Sequence, residues 1–173
     1  YIQEGLELLK DLKLIIKSGA SVYTIEECEY CMNSIFFDSI QIPISIADTS
    51  FYSALINNRK SEKTFIGRSI LLQGALIHTK IINKKIKYSE QMINYLKKLD
   101  FIRKEVGLSR LEFYLAFVSS LQGFDHFIIG STSIDNIKRN IKCMELNLNS
   151  NIMNSIFEYS NKLKLWTNPR NWN

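Results

Sequence analysis

The sequence is poor in the residues that interrupt or staple a chain. Its 173 residues include two prolines, seven glycines, three cysteines and two histidines. So little Pro and Gly excludes collagen-like and low-complexity classes. Three cysteines, a low and odd number, argue against a disulfide scaffold and for a reducing, cytoplasmic home. No apolar run reaches the ~18 residues that a membrane span needs. Lys10, Lys13 and Lys17 break the best N-terminal candidate. No secretory signal is recognisable. Neither charge sign dominates: 22 basic against 17 acidic residues leave a net charge of +5, beside 46% hydrophobic residues. Disorder needs the opposite balance. A chain of this size buries roughly two-thirds of its unfolded surface, enough for a core. It opens on Tyr1 rather than Met, which reads as a chain cut at its start.

What is present alternates between helical and extended patterns. Residues 3–12 place Leu6, Leu8, Leu9 and Leu12 on or near one helical face. An extended run ends at Ser21. Thr24 and Glu27 have the spacing of a capping box, opening a helix to about residue 34. Residues 38–42 read as a strand stopped by Pro43, residues 49–58 as a helix and residues 65–71 as a strand. Ser89 is expected to cap a long amphipathic helix that Gly107 stops. Ser109 and Glu112 form a second capping-box pattern, opening a nearly all-apolar, hence buried, helix that Gly123 ends. Residues 125–129 read as a strand, and helices are expected over 134–144 and 150–164. Repeated strand–helix units at this spacing predict an α/β fold with a parallel sheet and outer helices. No linker divides residues 1–173, which read as one domain or part of a larger one.

Several segments invite chemistry. Cys28 and Cys31 form a C-x-x-C, but Cys28 lies a full turn inside the helix that Thr24 caps, away from the dipole that activates a redox cysteine. No further ligands complete a zinc set. The pair therefore reads as buried helical cysteines. His78 follows a strand and a Gly-containing turn with no acidic partner set by sequence. His126 opens a strand, the non-catalytic end in a parallel sheet. Lys80, Lys84, Lys85 and Lys87 lack interleaved aromatics and read as a solvated loop, with no nucleic-acid partner expected. Gly130-Ser131-Thr132-Ser133 joins a strand's C-terminal end to a helix N-terminus. Amides, hydroxyls and helix dipole there suit a phosphate. Plain helix capping by Ser133 explains the same residues equally well.

Four segments in order resemble the C-terminal half of an aldo-keto reductase. Ser18-Gly19-Ala20-Ser21-Val22-Tyr23 is similar to the family's fifth-strand segment, and Asp38-Ser39-Ile40-Gln41-Ile42-Pro43 to its sixth strand. Gly67-Arg68-Ser69-Ile70-Leu71-Leu72-Gln73-Gly74-Ala75-Leu76 resembles the seventh. Phe127-Ile128-Ile129-Gly130-Ser131-Thr132 with Asp135-Asn136-Ile137-Lys138-Arg139-Asn140 resembles the eighth strand and cofactor helix. The closing Pro169-Arg170-Asn171-Trp172 resembles the tail of a bacterial subgroup.

The resemblance implies half of a (β/α)8 TIM barrel, four parallel strands with outer helices. It implies NADP as cofactor, with NAD as the other possibility, and a small-molecule aldehyde, ketone or sugar carbonyl as substrate. By position, Ser21 and Gln41 would hydrogen-bond the nicotinamide carboxamide, and Arg68 and Ser69 would lie beside the nicotinamide and pyrophosphate. Gly130, Ser131 and Thr132 would hold the adenosine phosphate, with Asn136 beside them and Asn140 at the adenine. Many members have Asn at position 22, Tyr at 68, Lys at 130, Arg at 136 and Glu at 139; here these are Val22, Arg68, Gly130, Asn136 and Arg139. Lys and Arg at 130 and 136 normally meet the 2′-phosphate, so a modest preference for NADP follows. The family's catalytic Asp, Tyr, Lys and His belong to its first four strands, and no residue here takes their roles. The expected chain is thus the cofactor-binding half of a carbonyl reductase, inactive alone. A non-catalytic nucleotide-binding or assembly module is the alternative, and an unrelated small α/β protein a third.

Overall fold

The computed structural model describes residues 1–58, 62–78, 82, 87–160 and 165–172. Helix α1 (Ile2–Asp11) leads into β1 (Gly19–Ser21), α2 (Ile25–Asn33), β2 (Ser39–Pro43), α3 (Ser50–Asn58) and β3 (Thr64–Arg68). Then follow α4 (Ser89–Glu105), α5 (Arg110–Ser119), β4 (His126–Phe127), α6 (Ile134–Met144) and α7 (Ser150–Ser160). The four strands form one parallel sheet in chain order, β1-β2-β3-β4. Sequential parallel neighbours joined by outer helices are the arrangement of a barrel wall, here half of one.

Both capping boxes form. Thr24 Oγ1 accepts from the Glu27 amide at 3.2 Å, and the Glu27 carboxylate accepts from the Thr24 amide at 3.1 Å. The Ser109–Glu112 pair repeats this at 3.3 and 2.8 Å. Helix α5 buries Leu111 and every residue from Phe113 to Val118, as its nearly all-apolar sequence requires.

Register sorts the side chains. Ile40 pairs with Phe65 and Ile42 with Gly67, and alternation sends that face outward. There Ile40, Ile42 and Phe65 pack with Cys28, Cys31 and Met32 of α2 and with Phe51 and Leu55 of α3. A larger cluster joins Ile44, Ile46 and Ile70 to Met92, Leu96 and Leu99 of α4 and Phe113, Leu115 and Phe117 of α5. The opposite face carries Ser21, Gln41 and Ile66, paired across the strands, and Arg68 two residues beyond Ile66. Gly67 is needed where β3 meets β4: a Cβ there would lie 2.5 Å from the Phe127 ring and 2.8 Å from Ile44.

Several boundaries differ from the sequence expectation. Strand β2 runs through Pro43, which pairs with Arg68, rather than stopping before it. Strand β3 ends at Arg68, because Ser69 turns left-handed at φ 60°. Strand β4 covers only His126 and Phe127; the Ile128 amide still donates to the Gly67 carbonyl at 2.8 Å, and the ladder ends there. Helix α4 is preceded by Tyr88, at φ 68°, and Ser89 is its first residue rather than its cap. Helix α5 stops at Ser119, with Gly123 (φ 96°) in the turn beyond. Of the basic run, Lys80, Lys84 and Lys85 lie outside the described residues, as do residues 161–164 of the expected last helix.

Candidate functional site

Two clefts open at the C-terminal ends of the strands, where a parallel α/β sheet presents its loops. The larger encloses about 770 Å³. Ser69 and Gln73 from the loop after β3 line one side, and Gly130, Ser131, Thr132, Asn136, Arg139 and Asn140 line the other. The smaller, about 430 Å³, lies between Tyr23, Arg68, Ser69 and Gln73 and the chain's last turns, including Thr167 and Arg170. Ser69 and Gln73 border both clefts.

That shared ridge is built by backbone strain. Ser69, Leu72 and Gln73 all take positive φ (60°, 45° and 54°), followed by Gly74 at 85°. Non-glycine residues in this region cost of order 1–3 kcal/mol each and persist only where packing holds them. Here Leu72, Ala75 and Leu76 are buried beneath the turn. The outcome is a sharp turn that aims Ser69 and Gln73 between the clefts.

Side chains from three strands interlock at the ridge. Ser21 Oγ donates to Gln41 Oε1 at 3.0 Å and accepts from Arg68 Nε at 3.2 Å. Arg68 also donates to Ser69 Oγ at 3.1 Å and to the Val22 carbonyl at 2.8 Å. The Ser21 hydroxyl is therefore occupied. Among the described residues the Gln41 amide nitrogen has no partner, which leaves a donor for a ligand carbonyl.

The segment after β4 leaves polar groups open. Ser133 stands at the N-cap of α6, but its side chain caps nothing, so plain capping by Ser133 does not account for the segment. Ser131 Oγ instead accepts from the Ser133 amide and donates to the Ser133 carbonyl, both at 3.2 Å. The amides of residues 134–136, which begin the helix, have no intrahelical acceptor. A Cβ at Gly130 would meet nothing within 4 Å. Asp135 lies in the same first turn and opposes an anion; Arg139, a turn further along, favours one.

The structure thus brings Ser69, Gly130, Ser131, Thr132, Asn136 and Asn140 along one cleft and links Ser21, Gln41 and Arg68 to it through Ser69. Sequence reasoning assigned no site role to Tyr23, Gln73, Arg139 or Arg170, which also line these clefts. Arg139 was visible as a departure from the resemblance. The approach of Arg170 to Tyr23 had no local signal.

The remaining candidates fall elsewhere. His78 stands at the rim of the larger cleft, whereas His126 lies at the start of β4 beside α6. Cys28 and Cys31 are buried in α2, and burial pushes the Cys28 thiol up to about 11, the reverse of an activated thiolate. Among the described residues no group of His, Cys, Asp and Glu could hold a metal ion. None of the described helices is long and apolar enough to cross a membrane.

The model of the Aldo/keto reductase family matches residues 1–161. A comparison with curated proteins finds no match. Among solved structures, the aldo-keto reductase AKR11C1 from Bacillus halodurans in its holo form is similar, with a TM-score of 0.72 and 20% identity over 93% of this chain. A thermostable aldo-keto reductase in complex with the inhibitor epalrestat follows at a TM-score of 0.64 and 17% identity over 92% of the chain. The chain spans 56% and 55% of the length of those two proteins.

Proposed function

Because the chain belongs to the aldo/keto reductase family, we propose that it is the cofactor-binding half of an NAD(P)H-dependent oxidoreductase acting on an aldehyde, ketone or sugar carbonyl. The observation that carries this reading is the 770 Å³ cleft in which Ser69 faces the open start of α6. Gly130, Ser131 and Thr132 would hold the adenosine phosphate through amides and hydroxyls, the Ser131 hydroxyl exchanging its bond to the Ser133 carbonyl for one to the phosphate, and Asn136 and Asn140 would border the adenosine. Gln41 would donate its free amide hydrogens to the nicotinamide carboxamide, with Ser21 and Arg68 fixing its orientation. When bound, the cofactor supplies hydride for carbonyl reduction. The family's proton-donating Tyr and its Lys, Asp and His partners have no counterparts in this chain, so it binds without turning over. Free, buried Cys28, Cys31 and Cys143 support a cytoplasmic setting.

The test is titration of the 173-residue chain with NADPH and NADH by fluorescence quenching, beside an aldehyde-reduction assay. Saturable binding of both cofactors without turnover supports the reading. Absence of binding overturns the cofactor assignment, and robust reduction overturns the assignment of the chemistry to residues outside this chain.

A further inference from the structure

The smaller cleft holds Tyr23 and Arg170, to which the cofactor reading gives no role, beside Arg68, which it does use. Arg68 and Arg170 both place their guanidiniums on the Tyr23 ring, 4.3 and 3.9 Å from its centroid. Such contacts are attractive cation–π pairs, but here two like charges share one ring. Burial, and secondarily the Arg170 charge, lower the affinity of Arg68 for its proton.

Neither cation is neutralised by a described residue. The ion pairs among the described residues use the Tyr1 amine, Lys10, Arg103 and Arg110. Asp48, a carboxylate that also lines the cleft, forms no ion pair with either arginine: Ser50 donates to one oxygen from its amide (3.0 Å) and hydroxyl (2.7 Å), and Thr167 donates to the other at 2.7 Å. Arg68 is held by Ser21, Ser69 and Val22. Arg170 is exposed, and no described residue accepts from its guanidinium, so its fork of donors remains available.

The segment that delivers Arg170 is anchored. Trp172 Nε1 donates to the Trp166 carbonyl at 2.8 Å, and both indoles are buried. Asn171 Nδ2 donates to the Leu165 carbonyl at 2.7 Å. The arginine is therefore positioned over Tyr23 by a fixed turn rather than by a free tail. A cleft of 430 Å³ is large enough for a small organic ligand. A planar guanidinium with free donors is the protein group best matched to a carboxylate.

We propose that this cleft takes the anionic end of a carboxylate-bearing carbonyl substrate, with Arg170 as the residue that recognises it and Tyr23 as the platform that orients Arg170. Arg68, fixed below, adds positive field without spending further donors. The anion site stands on its own geometry; that the bound molecule is a carbonyl substrate rests on the cofactor reading.

The test is calorimetric titration of the 173-residue chain with para-carboxybenzaldehyde and with its neutral methyl ester, in wild type, Arg170→Gln and Arg170→Lys, with NADPH and NADH affinities measured alongside. The acid is expected to bind about tenfold tighter than the ester, the scale of one charge-assisted contact at a partly open site. Arg170→Gln should abolish that preference, Arg170→Lys should keep part of it, and both variants should bind the cofactors as wild type does. Equal binding of acid and ester to wild type, or a preference untouched by Arg170→Gln, overturns the proposal. If Arg170→Gln weakens both cofactors as much as the acid, the guanidinium serves cofactor phosphates and the proposal is again overturned. If neither cofactor binds while the Arg170-dependent preference persists, the anion site stands and the cofactor reading falls.

Discussion

Gly130 is the residue at which the proposed phosphate site is most easily given a charge. Its Cβ position is open, so a larger side chain enters without displacing a neighbour. Hydroxyls and amides give a phosphate less than charge-assisted bonds do. We therefore expect an NADPH-over-NADH preference on the order of tenfold for the chain as it is, one decade being ~1.4 kcal/mol. Gly130→Lys should raise that preference by about another tenfold, read from the two dissociation constants. An unchanged ratio would place the 2′-phosphate elsewhere. A second residue ties α1 to the sheet. Asp38 accepts from Lys10 Nζ (2.7 Å) and from the Ser18 amide (2.8 Å), and these bonds, the lysine's first, hold its carboxyl down at about 2. The ionised form is favoured in the folded state, so the contribution is complete above the ordinary value of 3.8 and disappears as pH falls through about 2. Asp38→Asn should lower the melting temperature at neutral pH, with the gap to wild type closing toward pH 2. A gap independent of pH would contradict this. The Asp38 pairing was not legible in the sequence, since Lys10 is 28 residues away; the same holds for Tyr23 and Arg170.

At the scale of elements, local signals were legible where the chain satisfies itself locally. The Thr24–Glu27 and Ser109–Glu112 boxes each bond within four residues, and both helices begin where those patterns put them. Ser109→Ala should cost about 1 kcal/mol of unfolding free energy. Urea denaturation measures this, and a change under a few tenths would mean that the cap is redundant with the burial of α5. Strand ends were less legible because they depend on a neighbour. Residues 128–129 are apolar enough for a strand, yet the last bond to β3 is that of the Ile128 amide to Gly67, and the left-handed turn at Ser69 that ends β3 is encoded by no glycine. Helix α4 begins after Tyr88, whose positive φ is likewise unannounced. The same ridge of positive φ separates the two clefts, so the detail that shapes the site is the one that propensity conceals.

At the scale of the whole molecule, the sheet has two outer edges, and no described strand pairs with the free side of β1 or β4. Helix α1 buries none of its residues, and Ile134, Ile137 and Ile141 form an exposed apolar row along α6. Unpaired edges beside apolar surface favour association. The isolated chain should therefore self-associate, as analytical ultracentrifugation over a concentration series would record; a sharply monomeric, cooperatively melting species at high concentration would contradict the half-barrel account. The order of strands and helices was legible because each unit repeats the same pattern, whereas the site is gathered from residues 21 to 140 and becomes visible only once register aligns Ser21 and Gln41. Its central claim, that the adenosine phosphate is held by the loop before α6, is tested most directly by the cofactor dissociation constants of the Ser131→Ala, Thr132→Ala double variant against wild type. The account predicts that NADPH weakens severalfold more than NADH; equal weakening of both, or of neither, would contradict it.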